Sequence, residues 1–177
     1  MSSLLIVTGP PGAGKSSVAR ILADTAPNSV LVAGDTFFAF LANGAIDPWL
    51  PESNEQNTIV TRAAGRAAGE FVQGGYCVVY DGVVGPWFLD TFATTAGLSE
   101  LDYVVLLPAV ETCQQRVAAR RDHGFTDQDA TIQMHNQFAL SDVAERHLIR
   151  NDDSTPAAIA TIILAAQHRG DLRHHEP

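Results

Sequence analysis

The first seventeen residues contain the feature that most constrains this chain: an apolar run, a glycine-rich loop and a helix-period pattern follow one another directly. Gly9, Gly14, Lys15 and Ser16 fit the spacing G-x-x-x-x-G-K-S between a predicted strand and a predicted helix. There the glycines let backbone N–H groups converge on a phosphate, and the helix N-terminus adds its positive end. The Lys15 ammonium can reach terminal phosphates, and the Ser16 hydroxyl can bind Mg²⁺. These residues predict a nucleoside triphosphate site, in preference to a plain Gly/Pro turn with a surface lysine.

Length and charge narrow the function classes. A chain of 177 residues, with 46% hydrophobic and 18% charged residues, is expected to form one domain over 1–177. The net charge of −9 argues against a nucleic-acid duplex or an anionic membrane as partner, since both require a basic surface. The sequence has no signal-peptide pattern and no apolar run of membrane length. We therefore expect a cytoplasmic protein with reduced thiols, either a monomer or a homodimer.

Strands and helices alternate along the chain. Apolar strands are predicted at 4–7, 29–33, 76–80, 102–107 and 146–150, with helical patterns between them. This alternation predicts an α/β fold with three layers, in which helices cover both faces of a five-stranded parallel sheet. In such sheets the ligand lies beyond the carboxyl ends of the strands. The loop at 9–16, Asp35, Asp81 and the pair Asn151-Asp152 are therefore expected to meet at one edge.

Several local features of the helices can also be predicted. A long helix from about Asn54 to Val72 carries apolar side chains at helical spacing, which are expected to form one stripe: Ile59, Ala63, Ala67 and Phe71. Gly65 and Gly69 within it are expected to permit close helix packing. Thr126-x-x-Asp129 has the form of a capping box for a helix to about Phe138. The tail at 173–177 is expected to be frayed and solvated.

Two aspartates directly follow predicted strands. At Asp35, after the second strand, a carboxylate can take the proton of a substrate hydroxyl that attacks a γ-phosphate. The alternative is a helix N-cap, and the two roles are compatible. At Asp81, after the third strand, a carboxylate can hold Mg²⁺, whereas the alternative is a turn residue in an Asp-Gly pair. We interpret Asp35 as the catalytic carboxylate and Asp81, with Ser16, as a metal ligand.

Arginines are concentrated in two places. Arg116, Arg120 and Arg121 lie within six residues, at the end of a helix predicted to run to about 121. A guanidinium on a mobile segment can neutralise charge on a transferred phosphoryl group, and we assign this role to Arg120. Favourable cations at a helix C-terminus are the alternative. Arg62 and Arg66, one turn apart, either bind a polar or anionic acceptor or form a solvated face.

Aromatic residues cluster after the second and third strands. Seven of the thirteen aromatic residues lie in these segments: Phe37, Phe38, Phe40, Trp49, Trp87, Phe88 and Phe92. Core packing accounts for about half of them, and the others would line an apolar pocket near the two aspartates. We expect an acceptor with an apolar or aromatic body, contacted by Phe38 and Trp87.

With these residues, nearly the whole chain resembles the small P-loop kinases, a group that includes adenylate-kinase-like, shikimate-kinase-like, gluconate-kinase-like and chloramphenicol-phosphotransferase-like proteins. The resemblance implies the P-loop NTPase fold, a short lid at about 120–138, and the use of ATP and Mg²⁺. It also implies which residues hold the ATP phosphates: Gly12, Ala13, Gly14, Lys15, Ser16 and Ser17. By the same resemblance, the adenine would rest near Arg116 and the loop 151–155, which includes Asp152. The segment 119–125 resembles the lid of gluconate kinases, with an extra glycine at 124.

The resemblance implies an ATP-dependent phosphotransferase that acts on the hydroxyl of a small molecule. Ala33 and Phe37 flank Asp35 where shikimate kinases carry a second aspartate, and 83–85 differs from the Phe-Pro-Arg of adenylate kinases. The isolated Asp35 with neighbouring aromatics is most similar to antibiotic phosphotransferases. One alternative is a nucleotide-binding switch or NTPase, although the guanine-reading Asn-Lys-x-Asp does not occur. Another is a nucleotide kinase or a toxin-type kinase.

Overall fold

The computed structural model describes residues 3–119 and 125–175. Within these residues the strands are β1 (Ser3–Thr8), β2 (Ser29–Ala33), β3 (Cys77–Asp81), β4 (Glu100–Leu106), β5 (Leu148–Ile149) and β6 (Arg173–His175). The helices are α1 (Lys15–Asp24), α2 (Gly34–Ala39), α3 (Asn54–Gln73), α4 (Pro86–Ala96), α5 (Val110–Ala118), α6 (Gln128–Ala139) and α7 (Pro156–Arg169). Short 3-10 helices at Pro51–Ser53 and Glu145–His147 precede α3 and β5.

Five of the strands are parallel, in the order β2-β3-β1-β4-β5. This confirms the predicted α/β architecture. The sixth strand, β6, pairs antiparallel with β4 and brings Arg173 opposite Asp102, so the prediction of a frayed tail is wrong for residues 173–175. The physical reason is that the two-residue β5 leaves the first half of β4 as an open edge. The backbone N–H of Tyr103 donates to the carbonyl of buried Leu172 at 2.9 Å, which attaches the tail there.

Alternating side chains of the central strands enter two separate apolar layers. Ile6 and Tyr80 pack with α3 and α4 on one face, whereas Val7 and Val79 pack with α1 and α7 on the other. Successive strand residues project to opposite faces. Asp81 therefore projects from the end of β3 towards the same face as Val79, which is the face covered by α1.

Helix α3 buries a different face from the predicted one. Ile59 is 58% exposed and Phe71 is 42% exposed, so the predicted apolar stripe is wrong. The buried positions are smaller on average: Asn57, Val60, Thr61, Ala64, Gly65, Ala68, Gly69 and Val72. A Cβ on Gly69 would overlap the carbonyl oxygen of Ala96 in α4, which confirms that the glycines permit close packing. The small face is buried because it lets the two helix backbones approach each other.

Two helix ends in the second half of the chain differ from the prediction. The Asp127 carboxylate accepts a hydrogen bond from the backbone N–H of Ala130 at 2.9 Å, so Asp127 rather than Thr126 is the N-cap of α6. Helix α5 ends at Ala118 with Ala119 as its C-cap, and the rest of the helix predicted to about 121 lies outside the described residues. Among the helices described, none combines the length and apolar character needed to cross a bilayer.

Candidate active site

The loop between β1 and α1 has the geometry of an anion cradle. Gly9, Gly12 and Gly14 have φ angles of 139°, 80° and 92°, in the region that favours glycine. A Cβ on Gly9 would overlap the carbonyl oxygen of Leu106, and one on Gly12 would overlap that of Cys113, so the loop lies directly against β4 and α5. Gly14 precedes α1 and has no side chain to cap it, which leaves the first N–H groups of the helix for a ligand.

The functional side chains of the loop lie where α1 begins. Lys15 Nζ donates to the carbonyl oxygens of Gly9 and Pro10 at 2.9 and 3.0 Å, which holds the ammonium against the loop. Ser16 and Ser17 are exposed in the first turn of α1. The motif therefore places an ammonium and two hydroxyls beside the first N–H groups of α1.

Asp35 and Asp81 share a pocket of about 260 Å³ with Lys15 and Ser16. Asp81 lies in register with Ala33, so β2 and β3 end at the same level of the sheet. Asp35 follows two residues later, exposed in the first turn of α2. The expectation that these carboxylates and the phosphate loop meet at one edge is confirmed.

A tyrosine that the sequence analysis missed supports both aspartates. Tyr80 is 4% exposed, and burial, followed by the negative charges of Asp35 and Asp81, raises the pKa of its hydroxyl. A Cβ on Gly34 or on Gly82 would contact the Tyr80 side chain. The turns that carry Asp35 and Asp81 thus both pack against the neutral side chain of Tyr80. In the sequence, this contact was indicated only by the two glycines next to the aspartates, Gly34 and Gly82, which leave room for a large side chain.

The turn after Asp81 is fixed by two buried hydroxyls. The backbone N–H of Val84 donates to Thr8 Oγ1 at 2.8 Å, and the Tyr103 hydroxyl donates to the Val84 carbonyl at 2.8 Å. Thr8 and Tyr103 lie on the adjacent strands β1 and β4. These bonds hold residues 82–85 against the end of β1, where the phosphate loop begins.

The remainder of the pocket is largely apolar. Its large side chains come from five segments: Phe38, Trp49, Trp87, Phe88, Phe125 and Met134. Phe38 and Trp87 line the pocket, as the sequence led us to expect for an acceptor site. The rings of Trp49 and Phe125 meet edge-on with centroids 5.2 Å apart, which joins the loop before α3 to the segment before α6. The polar residues Asn57, Thr61 and Gln137 also line the pocket, and the sequence analysis did not single them out.

One predicted site residue is outside this group, and another cannot be placed because it is not among the described residues. Arg62 is exposed on α3 and is outside the lining of the pocket as the structure describes it, which favours the solvated-face alternative. Arg120 lies outside the described residues, so its catalytic role stays a prediction. Of the predicted lid at 120–138, the described part contributes Phe125, Met134 and Gln137 to the pocket.

Arg116 and Asp152 come together beside the phosphate loop. Arg116 Nη2 donates to the carbonyl oxygens of Asn151 and Asp152, each at 2.9 Å. The Asp152 carboxylate accepts from the backbone N–H of Ala109 and from the Thr112 hydroxyl, and the Ala109 bond is the main reason that its pKa lies below the usual range. These bonds attach the loop after β5 to α5, and the adenine contact of both residues stays a prediction.

The oxygen donors at Ser16 and Asp81 fit Mg²⁺. This hard cation is usually held by one or two protein oxygens, with nucleotide phosphates and water completing an octahedron. Among the described residues, no group of three His, Cys, Asp or Glu side chains is placed to hold a metal. The two oxygen donors therefore suit a cation that nucleotide phosphates also hold.

A match to a known protein family includes most residues of this site. The AAA domain family matches residues 4–141, which include the phosphate loop, Asp35, Asp81 and all of α6. The chain belongs to this AAA domain family. A comparison with curated protein sequences finds no match.

Solved structures share the fold of this AAA domain over nearly the full length. A sugar kinase from Janibacter sp. HTCC2649 has a TM-score of 0.72 and 14% identity, with 95% of each chain covered. The tunicamycin resistance protein of Deinococcus radiodurans has a TM-score of 0.68 and 16% identity, covering 93% of this chain and 95% of its own. A gluconokinase from Sinorhizobium meliloti 1021 has a TM-score of 0.65 and 19% identity, covering 95% and 93%. The predicted fold of the small P-loop kinases is thereby confirmed.

Proposed function

We propose that this protein is an ATP- and Mg²⁺-dependent kinase that phosphorylates a hydroxyl of a small molecule with an apolar or aromatic body. One observation carries the proposal: a single pocket runs from the phosphate loop to an aromatic wall. Lys15 and Asp35 lie at its polar part, and Phe38, Trp49 and Trp87 line its apolar part. A phosphate donor and an apolar acceptor can therefore occupy adjoining parts of the same space.

The residues at the polar part supply the groups that phosphoryl transfer needs. Lys15 exchanges its loop carbonyls for the terminal phosphates of ATP. The Asp35 carboxylate takes the proton of the acceptor hydroxyl while the hydroxyl oxygen bonds to the γ-phosphorus, and the bond from that phosphorus to the departing ADP oxygen breaks. Ser16 and Asp81 would hold Mg²⁺, which when bound supplies positive charge beside the phosphates.

The size and charge of the pocket favour a small, uncharged acceptor. About 260 Å³ suits a compact small molecule. Among the described residues that line the pocket, Lys15 is the only lysine or arginine. In the phosphate-loop motif its ammonium binds the nucleotide. Asp35 and Asp81 make the rest of the polar part acidic. A nucleic-acid acceptor would bring phosphates to a surface without matching positive charge.

The test compares Asp35→Asn with the wild-type protein and with Asp47→Asn, a control at an exposed position outside the pocket. Transfer of the γ-phosphate is measured against a panel of aryl alcohols, sugars and an oligonucleotide with a free 5′-hydroxyl, and ATP affinity is measured by calorimetry. We expect Asp35→Asn to lower transfer by about 10²–10⁴-fold with ATP affinity unchanged. Asp47→Asn should match the wild-type protein in both measurements.

Other outcomes would contradict specific parts of the proposal. Full transfer by Asp35→Asn would exclude the proton-accepting role of Asp35. Strong preference for guanine nucleotides, without transfer to any alcohol, would favour a nucleotide-binding switch. Preferential transfer to the oligonucleotide would replace the small-molecule acceptor with a nucleic acid.

A further inference from the structure

Trp87 is the most accessible aromatic residue in the described lining of the acceptor pocket. It is the second residue of α4 and lines the pocket that also contains Asp35. It is 44% exposed, whereas the other aromatic residues in the described lining are half-buried or buried. A ligand in the pocket can therefore reach the indole in the geometry that the structure shows.

The indole of Trp87 is held in place by two contacts with the protein. A Cβ on Gly85 would overlap the six-membered ring of the indole, so this ring lies directly against the backbone of Gly85. The ring of buried Phe138 packs beside it, with centroids 5.2 Å apart and an angle of 54° between the ring planes. Gly85 is itself fixed at the N-cap of α4, where its carbonyl accepts from the backbone N–H of Phe88 at 2.9 Å. The fold therefore sets the position of the indole before any ligand binds.

An indole that is both accessible and fixed favours one kind of ligand. An aromatic side chain pairs with another aromatic ring, and this interaction adds to the burial of apolar area. Because the fold has already ordered the indole, binding costs little of its side-chain freedom. A saturated ring would bury a similar apolar area but has no π-system to pair with the indole. The geometry thus favours a planar aromatic ring over a saturated ring of the same size.

We propose that Trp87, seated against Gly85, is a specificity-determining residue that pairs with an aromatic ring of the phosphoryl acceptor. This inference rests on the proposed kinase function and narrows its acceptor class, from apolar bodies in general to alcohols that carry an aromatic ring. The hydroxyl of the acceptor then lies at Asp35, and its ring lies at Trp87 in the apolar part of the same pocket.

The test compares two alcohols with the same carbon skeleton, 2-phenylethanol and 2-cyclohexylethanol, which differ only in the aromaticity of the ring. Each is measured by calorimetry for binding in the presence of a non-hydrolysable ATP analogue, and for phosphate transfer with ATP. Trp87→Leu removes the indole. Phe71→Leu is the matched control, because Phe71 is 42% exposed and has an aromatic neighbour in Tyr76 but does not line the described pocket.

Gly85→Ala displaces the indole without removing it. The Gly85 φ of −72° is open to alanine, and the atoms that the new Cβ would overlap belong to the far end of the Trp87 side chain. We therefore expect the indole to move while the backbone stays in place. Gly85 is not part of the described lining, so every side chain of that lining is retained. This variant separates the placement of the indole from its presence.

We expect wild type and Phe71→Leu to prefer 2-phenylethanol by about two- to tenfold in affinity and in kcat/KM. Trp87→Leu and Gly85→Ala should abolish this preference. If Trp87 only fills space, burial of apolar area makes the saturated probe equal or better in wild type, and that result would overturn the inference. The inference is also overturned if either variant keeps the preference, or if wild type binds neither probe. A preference in binding without phosphate transfer would support the role of Trp87 and count against the kinase function, whereas transfer without a preference would do the reverse.

Discussion

The side-chain amide of Asn151 donates a hydrogen bond to the carbonyl oxygen of Ala13 at 2.8 Å, linking residues far apart in sequence. Asn151 is buried and lies two residues after the end of β5, the last parallel strand, whereas Ala13 is a fully buried residue of the phosphate loop. The carbonyl of Asn151 also accepts from Arg116. The shape of the phosphate loop thus depends on the loop after β5 as well as on its own glycines.

Replacing Asn151 tests this dependence. Asn151→Ala leaves the Ala13 carbonyl without its partner in a buried position, so we expect the free energy of unfolding to fall by about 1–3 kcal/mol. ATP affinity should also fall, since the loop loses an attachment. Asp153→Ala, at an exposed position two residues away, should change neither quantity. Denaturant unfolding measures the first effect and calorimetry the second. If Asn151→Ala has the stability and ATP affinity of wild type, the glycines alone hold the loop.

Lys15 allows a direct test of the phosphate site because it is the only lysine in the chain. We expect an amine-reactive reagent such as trinitrobenzenesulfonate to modify Lys15 and the N-terminal amine, as read by peptide mass spectrometry. Saturating ATP with Mg²⁺ should slow modification of Lys15 alone, because the terminal phosphates then cover its ammonium. AMP, which lacks these phosphates, is the control. Equal labelling with and without ATP would locate the terminal phosphates elsewhere.

Replacing Gly69 by alanine should lower the free energy of unfolding, whereas the same substitution at an ordinary helix glycine raises it. Gly→Ala within a helix normally stabilises a protein by roughly 0.5–1 kcal/mol. At Gly69 the new Cβ would overlap the Ala96 carbonyl, so we expect Gly69→Ala to lower the free energy of unfolding by about 1–3 kcal/mol. Ala63→Ser, on the exposed face of the same helix, should stay within about 0.5 kcal/mol. A stabilised Gly69→Ala in thermal or denaturant unfolding would contradict the close α3–α4 contact.

The ionised carboxylate of Asp102 should lower the free energy of unfolding at neutral pH. Burial raises the pKa of its carboxyl, and this outweighs the hydrogen bond from Gln167 at 2.7 Å and the nearby charge of Arg173. A raised pKa means that the native protein binds this proton more tightly than the unfolded chain does. The favourable contribution is therefore present below the unfolded pKa and is lost as the pH rises through the folded pKa.

Asp102→Asn removes this ionisation while keeping the shape of the side chain. We expect the variant to be more stable than wild type at pH 7, with the advantage shrinking as the pH falls towards about 4. Denaturant unfolding at several pH values measures the difference. Asp153→Asn, at an exposed position, should follow the wild-type curve. A constant difference between Asp102→Asn and wild type across this range would show that the carboxylate is not destabilised by burial.

Local patterns in the sequence were sufficient to predict the elements that form the edge of the sheet at the candidate site. β2 was predicted at its observed bounds, because the turn-forming residues on either side of it act on their own backbone. The meeting of Asp35 and Asp81 at the phosphate loop followed from a general rule for parallel sheets. The buried face of α3 could not be predicted in this way. Ile59 and Phe71 are more apolar than the glycines, yet the glycines are buried.

The sequence by itself determined the alternation of strands and helices, the phosphate loop and the position of both aspartates at or just beyond the ends of their strands, since each depends on neighbouring residues. Only the tertiary structure decided that residues 173–175 join the sheet and that the Tyr80 side chain packs against the turns of both aspartates. These depend on which backbones approach each other and which hydrogen-bond partners remain. Such distances between remote segments are set by packing of the whole chain, and no local pattern encodes them.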